Sequence, residues 1–101
     1  MVSPRTGEPV ANQFIIEDDN KVVFQSYDSM IVEIDYKNNT LTIGEDWDYS
    51  RTTGKYRNAF FNEYMAILNN AKAIRAMKDI YDAIGEYFLD TNGRRFAVIF
   101  K

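Results

Sequence analysis

The chain contains no cysteine and no histidine. Without thiols it has no route to a disulfide, a zinc–thiolate site, an iron–sulfur cluster or a cysteine nucleophile. Without imidazole it lacks the commonest general base and transition-metal ligand, and every Ser-His-Asp triad is excluded. Neither a cofactor nor a metal is expected. A cysteine-free small domain fits a reducing compartment. No apolar run approaches the roughly 20 residues that span a bilayer. The first twelve residues, with Pro4, Gly7 and Pro9, read as an extended, turn-rich leader rather than a signal peptide. The expected setting is the cytoplasm, with no membrane partner. A basic excess is also missing. Twelve Lys and Arg against fifteen Asp and Glu leave a net charge of −3, which disfavours a dedicated nucleic-acid binder.

What is present suits one packed core. Hydrophobic residues make up 46% of the 101 positions and charged residues 27%, so the chain is neither apolar-poor nor highly charged enough for disorder. The reading is a leader over 1–12 and a single α+β domain over 13–101.

Up to residue 43 the pattern has period two. Phe14 and Ile16 share one face of a short strand, opposite Gln13 and Glu17. Asp18-Asp19-Asn20 signals a turn. Val22 and Phe24 follow, then a turn at Asp28-Ser29, then the stripe Met30, Val32, Ile34 and Tyr36 against Glu33 and Asp35. Asn38-Asn39 suits a tight hairpin because asparagine tolerates positive φ. Leu41 and Ile43 complete a fourth strand of an antiparallel meander. Beyond Gly44 the spacing becomes helical. Asp48 or Ser50 is placed to cap, and Tyr56, Phe60, Tyr64 and Ile67 or Leu68 recur three and four apart. After Asn69-Asn70 a second helix is expected from about Ala71 to Leu89, with Ile74, Met77, Tyr81, Ile84 and Phe88 on one face and Ala73, Ile80 and Tyr87 widening it. Phe96, Val98 and Phe100 form a last strand, placed at a sheet edge or beside the first strand. The expected architecture is ββββ-α-α-β, an antiparallel four- to five-stranded sheet with two helices packed on one face.

The most distinctive stretch is Trp47 to Asn58. Gly54-Lys55 invites a phosphate-loop reading, which fails because Tyr49 stands where the earlier glycine is needed and Tyr56 replaces Ser or Thr. A helix N-terminus near Thr52, Thr53, Lys55 and Arg57 suits an anion, but a Ser50 or Thr52 cap over Trp47 and Tyr56 needs no ligand. Glu17, Asp18, Asp19, Glu33, Asp35, Glu45, Asp46 and Asp48 fit no calcium-loop spacing and read as an acidic surface. No nucleophile–base pair is visible, so no enzymatic activity is expected. Lys72, Arg75 and Lys78 recur every third residue, but Asp79 and Asp82 beside them suggest an ordinary charged face; Arg94-Arg95 stands near them as a further basic pair. Tyr27, Tyr49, Phe61 and Tyr87 fall off the main stripes, and tyrosines beside arginines mark protein-binding surfaces. The binding residues expected are Tyr27, Tyr49, Arg51, Thr53, Lys55, Arg57 and Asn58.

Pro4-Arg5-Thr6-Gly7, Val10 to Ile16, Phe24 to Tyr27, Trp47 to Ser50 and Thr52 to Asn58 together resemble an uncharacterised family of small bacteriophage and mobile-element proteins. The resemblance covers about residues 4–61 and departs from about Met65. It implies an accessory protein that binds a host protein, such as a defence or regulatory factor, and blocks it. Two other classes stand beside that reading. A nucleic-acid accessory protein predicts one basic face from Arg51, Lys55, Arg57, Lys72, Arg75 and Lys78. A small-molecule or nucleotide binder predicts a pocket near Tyr49 to Asn58. The wide apolar stripe of the second helix also points to a homodimer.

Overall fold

A computed structural model describes residues 13–65, 70–91 and 93–101. The expected leader over 1–12, and Ile67, Leu68 and Asn69, lie outside the described residues. The chain runs β1 (Gln13–Glu17), β2 (Lys21–Ser26), β3 (Ser29–Asp35), β4 (Thr40–Ile43), α1 (Arg51–Tyr64), α2 (Asn70–Ile84), β5 (Tyr87–Thr91) and β6 (Arg94–Phe100). This is the α+β class. The six strands form one sheet in the order β1-β2-β3-β4-β6-β5. Every neighbouring pair is antiparallel except β4 and β6. The long crossover through both helices returns the chain parallel to β4, as such a connection permits.

Turn chemistry sets the meander. Asp18 Oδ1 accepts from the backbone N–H of Asn20 and Lys21, both at 2.8 Å. Asn39 takes a φ of +52° in the β3–β4 turn. Asp35, expected on the solvent side, is buried. Its carboxylate curls over this turn, accepting from the N–H of Lys37 and Asn38 and from Asn38 Nδ2. Those bonds, the Asn38 side chain first, hold its carboxyl below the usual range.

Val22, Phe24, Val32, Ile34, Leu41, Ile43, Phe96 and Val98 share one face by register. They are buried with Tyr56, Phe60 and Phe61 of α1 and Ile74 and Met77 of α2. Both helices therefore cover that face. Phe61, off the expected stripe, is fully buried.

Four further expectations change. The β2–β3 ladder slips between Phe24 and Gln25, so Phe24 faces Val32 while Gln25 faces Met30. Ile31 is the extra residue of this bulge. Met30 is thereby turned away from the face of Val32 and Ile34. Gly44 is bound to the bulge, its N–H donating to Ile31 O at 2.9 Å. A Cβ on it would lie 2.0 Å from Met30 O. Second, the turn is Tyr27-Asp28, one residue earlier than expected, with Tyr27 at φ +53°. Third, β1 faces opposite to the hydrophobic reading: Gln13 is 1% exposed, while Phe14 and Ile16 are 44% and 52% exposed. Among the described residues neither amide atom of Gln13 has a hydrogen-bond partner. Fourth, the second helix ends at Ile84, not Leu89. Gly85 follows at φ +83°, the left-handed exit that favours glycine. Tyr87 and Phe88, expected on a helix, instead pair with Val98 and Ala97. The sheet therefore has six strands rather than four or five. The last strand lies inside the sheet, with β5 outside it.

Candidate functional site

The β4–α1 junction and the start of α1 hold six of the seven expected binding residues, and the β2–β3 turn brings in the seventh, Tyr27. Ser50 caps α1 from an extended backbone. Its Oγ accepts from Thr53 N–H at 3.1 Å and donates to Thr53 Oγ1 at 3.2 Å. Thr53 is fully buried, and its hydroxyl also shares a 3.1 Å hydrogen bond with Ser26 of β2. The cap thus bolts the helix start to the end of the β-hairpin. Asp48, the other expected cap, is used differently.

On the inward side lies a charged cluster. Arg57 is 2% exposed. It donates from Nη1 to Trp47 O at 2.6 Å and to Asp48 Oδ1 at 3.3 Å, and from Nη2 to Asn58 Oδ1 at 3.3 Å. Arg75 of α2 donates to the other oxygen, Asp48 Oδ2, at 2.8 Å. The guanidinium carbons of Arg57 and Arg75 lie 5.2 and 5.7 Å from the Trp47 ring centre. One carboxylate and one indole therefore hold two guanidinium groups. Burial works to raise the Asp48 carboxyl, but the hydrogen bonds from Arg75 and Arg57 outweigh it and leave it below its ordinary value. Burial lowers Arg57, against the pull of Asp48. Lys55 lies 5.3 Å above the Tyr56 ring. Beside the cluster runs an open depression of about 600 Å³ lined by Ser50, Arg51, Gly54, Lys55, Arg57 and Asn58.

On the outward side the hairpin turn and the junction frame a cleft of about 670 Å³. Tyr27 and Tyr49, 52% and 73% exposed, line it together with Asp28, Ser29, Asp46, Ser50 and Thr52. Ser29 Oγ donates to Asp46 Oδ2 at 2.8 Å. Tyr27 holds its turn at a φ uncommon for an aromatic residue. The cleft gathers two aromatic faces and two carboxylates, a setting that attracts a cationic side chain.

The expected residues therefore divide in two. Tyr27, Tyr49 and Thr53 belong to the cleft, while Arg51, Lys55, Arg57 and Asn58 border the depression. Of the cations, Arg57 and Arg75 converge on Asp48, and Lys78 pairs with Asp82 at 2.9 Å. Arg95 pairs with Asp90, and Arg94 donates to Tyr36 O at 3.0 Å. Sequence reasoning reads Asp28-Ser29 only as a turn and Asp46 only as part of an acidic surface; the fold brings all three to the cleft. Among the described residues no group of three or more carboxylates is placed to hold a metal ion. Nor is any helix long and apolar enough to cross a membrane.

Residues 1–83 match a family described as a family of unknown function, DUF8033. The match runs well past residue 61, where the sequence resemblance ended, and takes in most of α2. No curated protein and no solved structure matches the chain.

Proposed function

Since the chain belongs to DUF8033, a family without an assigned function, we propose from its own residues that it is a non-enzymatic binding module for another protein. The reading rests on one observation: Tyr27 and Tyr49 are both exposed, and both line an open cleft together with Asp28 and Asp46. Tyrosine offers a large amphipathic contact area at small entropic cost, which is why it dominates binding hot spots. The hydroxyls around it support binding rather than chemistry. Ser26, Ser50 and Thr53 are tied to one another and to the α1 cap, and Ser29 is tied to Asp46. The partner presents a lysine or arginine to the cleft, received beside the rings, Asp28 and Asp46. With the sequence resemblance to phage and mobile-element proteins, the partner is a host protein in the bacterial cytoplasm, a defence or regulatory factor held inactive by the complex. Nucleic acid is the weaker reading, because two of the arginines named for it, Arg57 and Arg75, are engaged with Asp48 and a third cation, Lys78, with Asp82.

Affinity purification from bacterial cells, comparing the wild type with a Tyr27→Gly/Tyr49→Ala variant, tests this. A protein retained by the wild type and lost by the folded variant supports the module. Equal retention by both, or retention of nucleic acid alone, contradicts it.

A further inference from the structure

The far edge of the sheet carries a second surface. Among the described strands β5 pairs with β6 alone, so its outer side offers unpaired backbone N–H and C=O groups. Proteins usually guard such an edge with free charges or proline. β5 reads YFLDT, and its one charge, Asp90, is bound by Arg95 at 2.9 Å. Among the described residues, neither a proline nor an unpaired charge stands on this strand.

Helix α2 lies against β5, as α1 lies against β2. Arg75 reaches Asp48 and Trp47, so that flank of α2 faces α1. Ile80 and Ile84 sit about 140° and 180° around the helix from Arg75, at about 100° per residue. They therefore face the β5 side. Both are exposed, at 44% and 68%. Half-buried Ala73 and exposed Ala76 continue the same flank toward the helix start. Large residues thus occupy one half of the stripe and small ones the other. Charge is divided in the same sense. Lys72 lies at the first turn, and Glu86 lies just past the last; both are exposed.

We propose that a second copy of this chain docks here. Its β5 pairs antiparallel with β5, and its α2 crosses antiparallel over α2 about a two-fold axis. One operation then satisfies both exposed features. Ile80 of each copy covers Ala76 of the other, Ile84 reaches the Ala73 end, and Lys72 meets Glu86. Such an interface is isologous and closes on itself, so association stops at a dimer. It leaves the tyrosine cleft, at the β2–β3 turn, free on both copies.

Light scattering coupled to size-exclusion chromatography tests the proposal on the intact chain. The wild type is expected at twice its 11.8 kDa. Ile80→Glu/Ile84→Glu places charges in the apolar contact and is expected to weaken association by at least about a hundredfold. Both positions are exposed, so its circular dichroism should match the wild type. Lys72→Glu should weaken the dimer, and adding Glu86→Lys should restore it. A wild type that stays monomeric at about 100 μM, well above a micromolar Kd, overturns the proposal. So does a dimer that survives Ile80→Glu/Ile84→Glu. A charge swap that fails to restore association overturns the antiparallel register.

Discussion

The two sides of the Trp47–Asn58 segment use similar residue types for opposite ends. Inward, Trp47 is 8% exposed and Arg57 2%, and their aromatic and cationic groups are spent on each other and on Asp48. Outward, Tyr49 is 73% exposed and is left to solvent or a partner. Burial, rather than residue type, separates structure from recognition here. A cation with its partner already in place offers little to a ligand, whereas the proposed partner site keeps its tyrosines exposed beside Asp28 and Asp46.

The sharpest way to break this comparison is Asp48→Ala. It leaves the buried Arg57 guanidinium without its carboxylate and releases Arg75 from the junction. A loss of about 3 kcal/mol is expected in urea unfolding, below the full cost of breaking a buried pair because Asp48 is itself partly exposed. Its pH dependence follows from the depressed carboxyl. The stabilisation is complete above the ordinary carboxylate range near about 4. It fades as pH falls through the lowered folded value, so the wild type should lose more stability below pH about 4 than Asp48→Ala does. Arg57→Met should cost less, about 1–2 kcal/mol, because it removes the buried charge and fills similar volume. If Arg57→Met proves the worse of the two, the inward side is not organised by charge. Gln13→Met replaces a buried amide, unpartnered among the described residues, by an apolar group and should raise stability by about 1 kcal/mol. Tyr27→Gly relieves a left-handed aromatic and should gain up to about 1 kcal/mol. Tyr49→Ala should change stability by less than about 0.5 kcal/mol. A large loss with either tyrosine variant would move that ring from recognition to structure.

Much of the fold was legible in the sequence. Alternation located β1 to β4, Asn39 announced its positive φ, and Ser50 announced its cap. The failures have physical causes. The inserted Ile31 reverses the facing of Met30 in a way that strict alternation cannot register. Ile84, Tyr87 and Phe88 continue a helical spacing, but Gly85 at φ +83° breaks it and hands the chain to β5. A glycine near the end of an apolar stripe was the signal. Helical spacing separates Arg57, about 60° from Phe60 and about 20° from Tyr64 around α1, from Arg51, about 180° from Phe60. What the order of residues does not show is that Asp48 and Arg75 meet at Trp47, contacts made only by folding.

The most direct test of the inward–outward division is the backbone amide spectrum of the labelled protein, recorded free and bound to its captured partner. Shift changes should concentrate at Ser26 to Ser29 and at Asp46 to Thr53, with Trp47 moving least because its ring is packed in the cluster. Changes centred instead on Lys72, Arg75 and Lys78, with Tyr27 and Tyr49 silent, would contradict it.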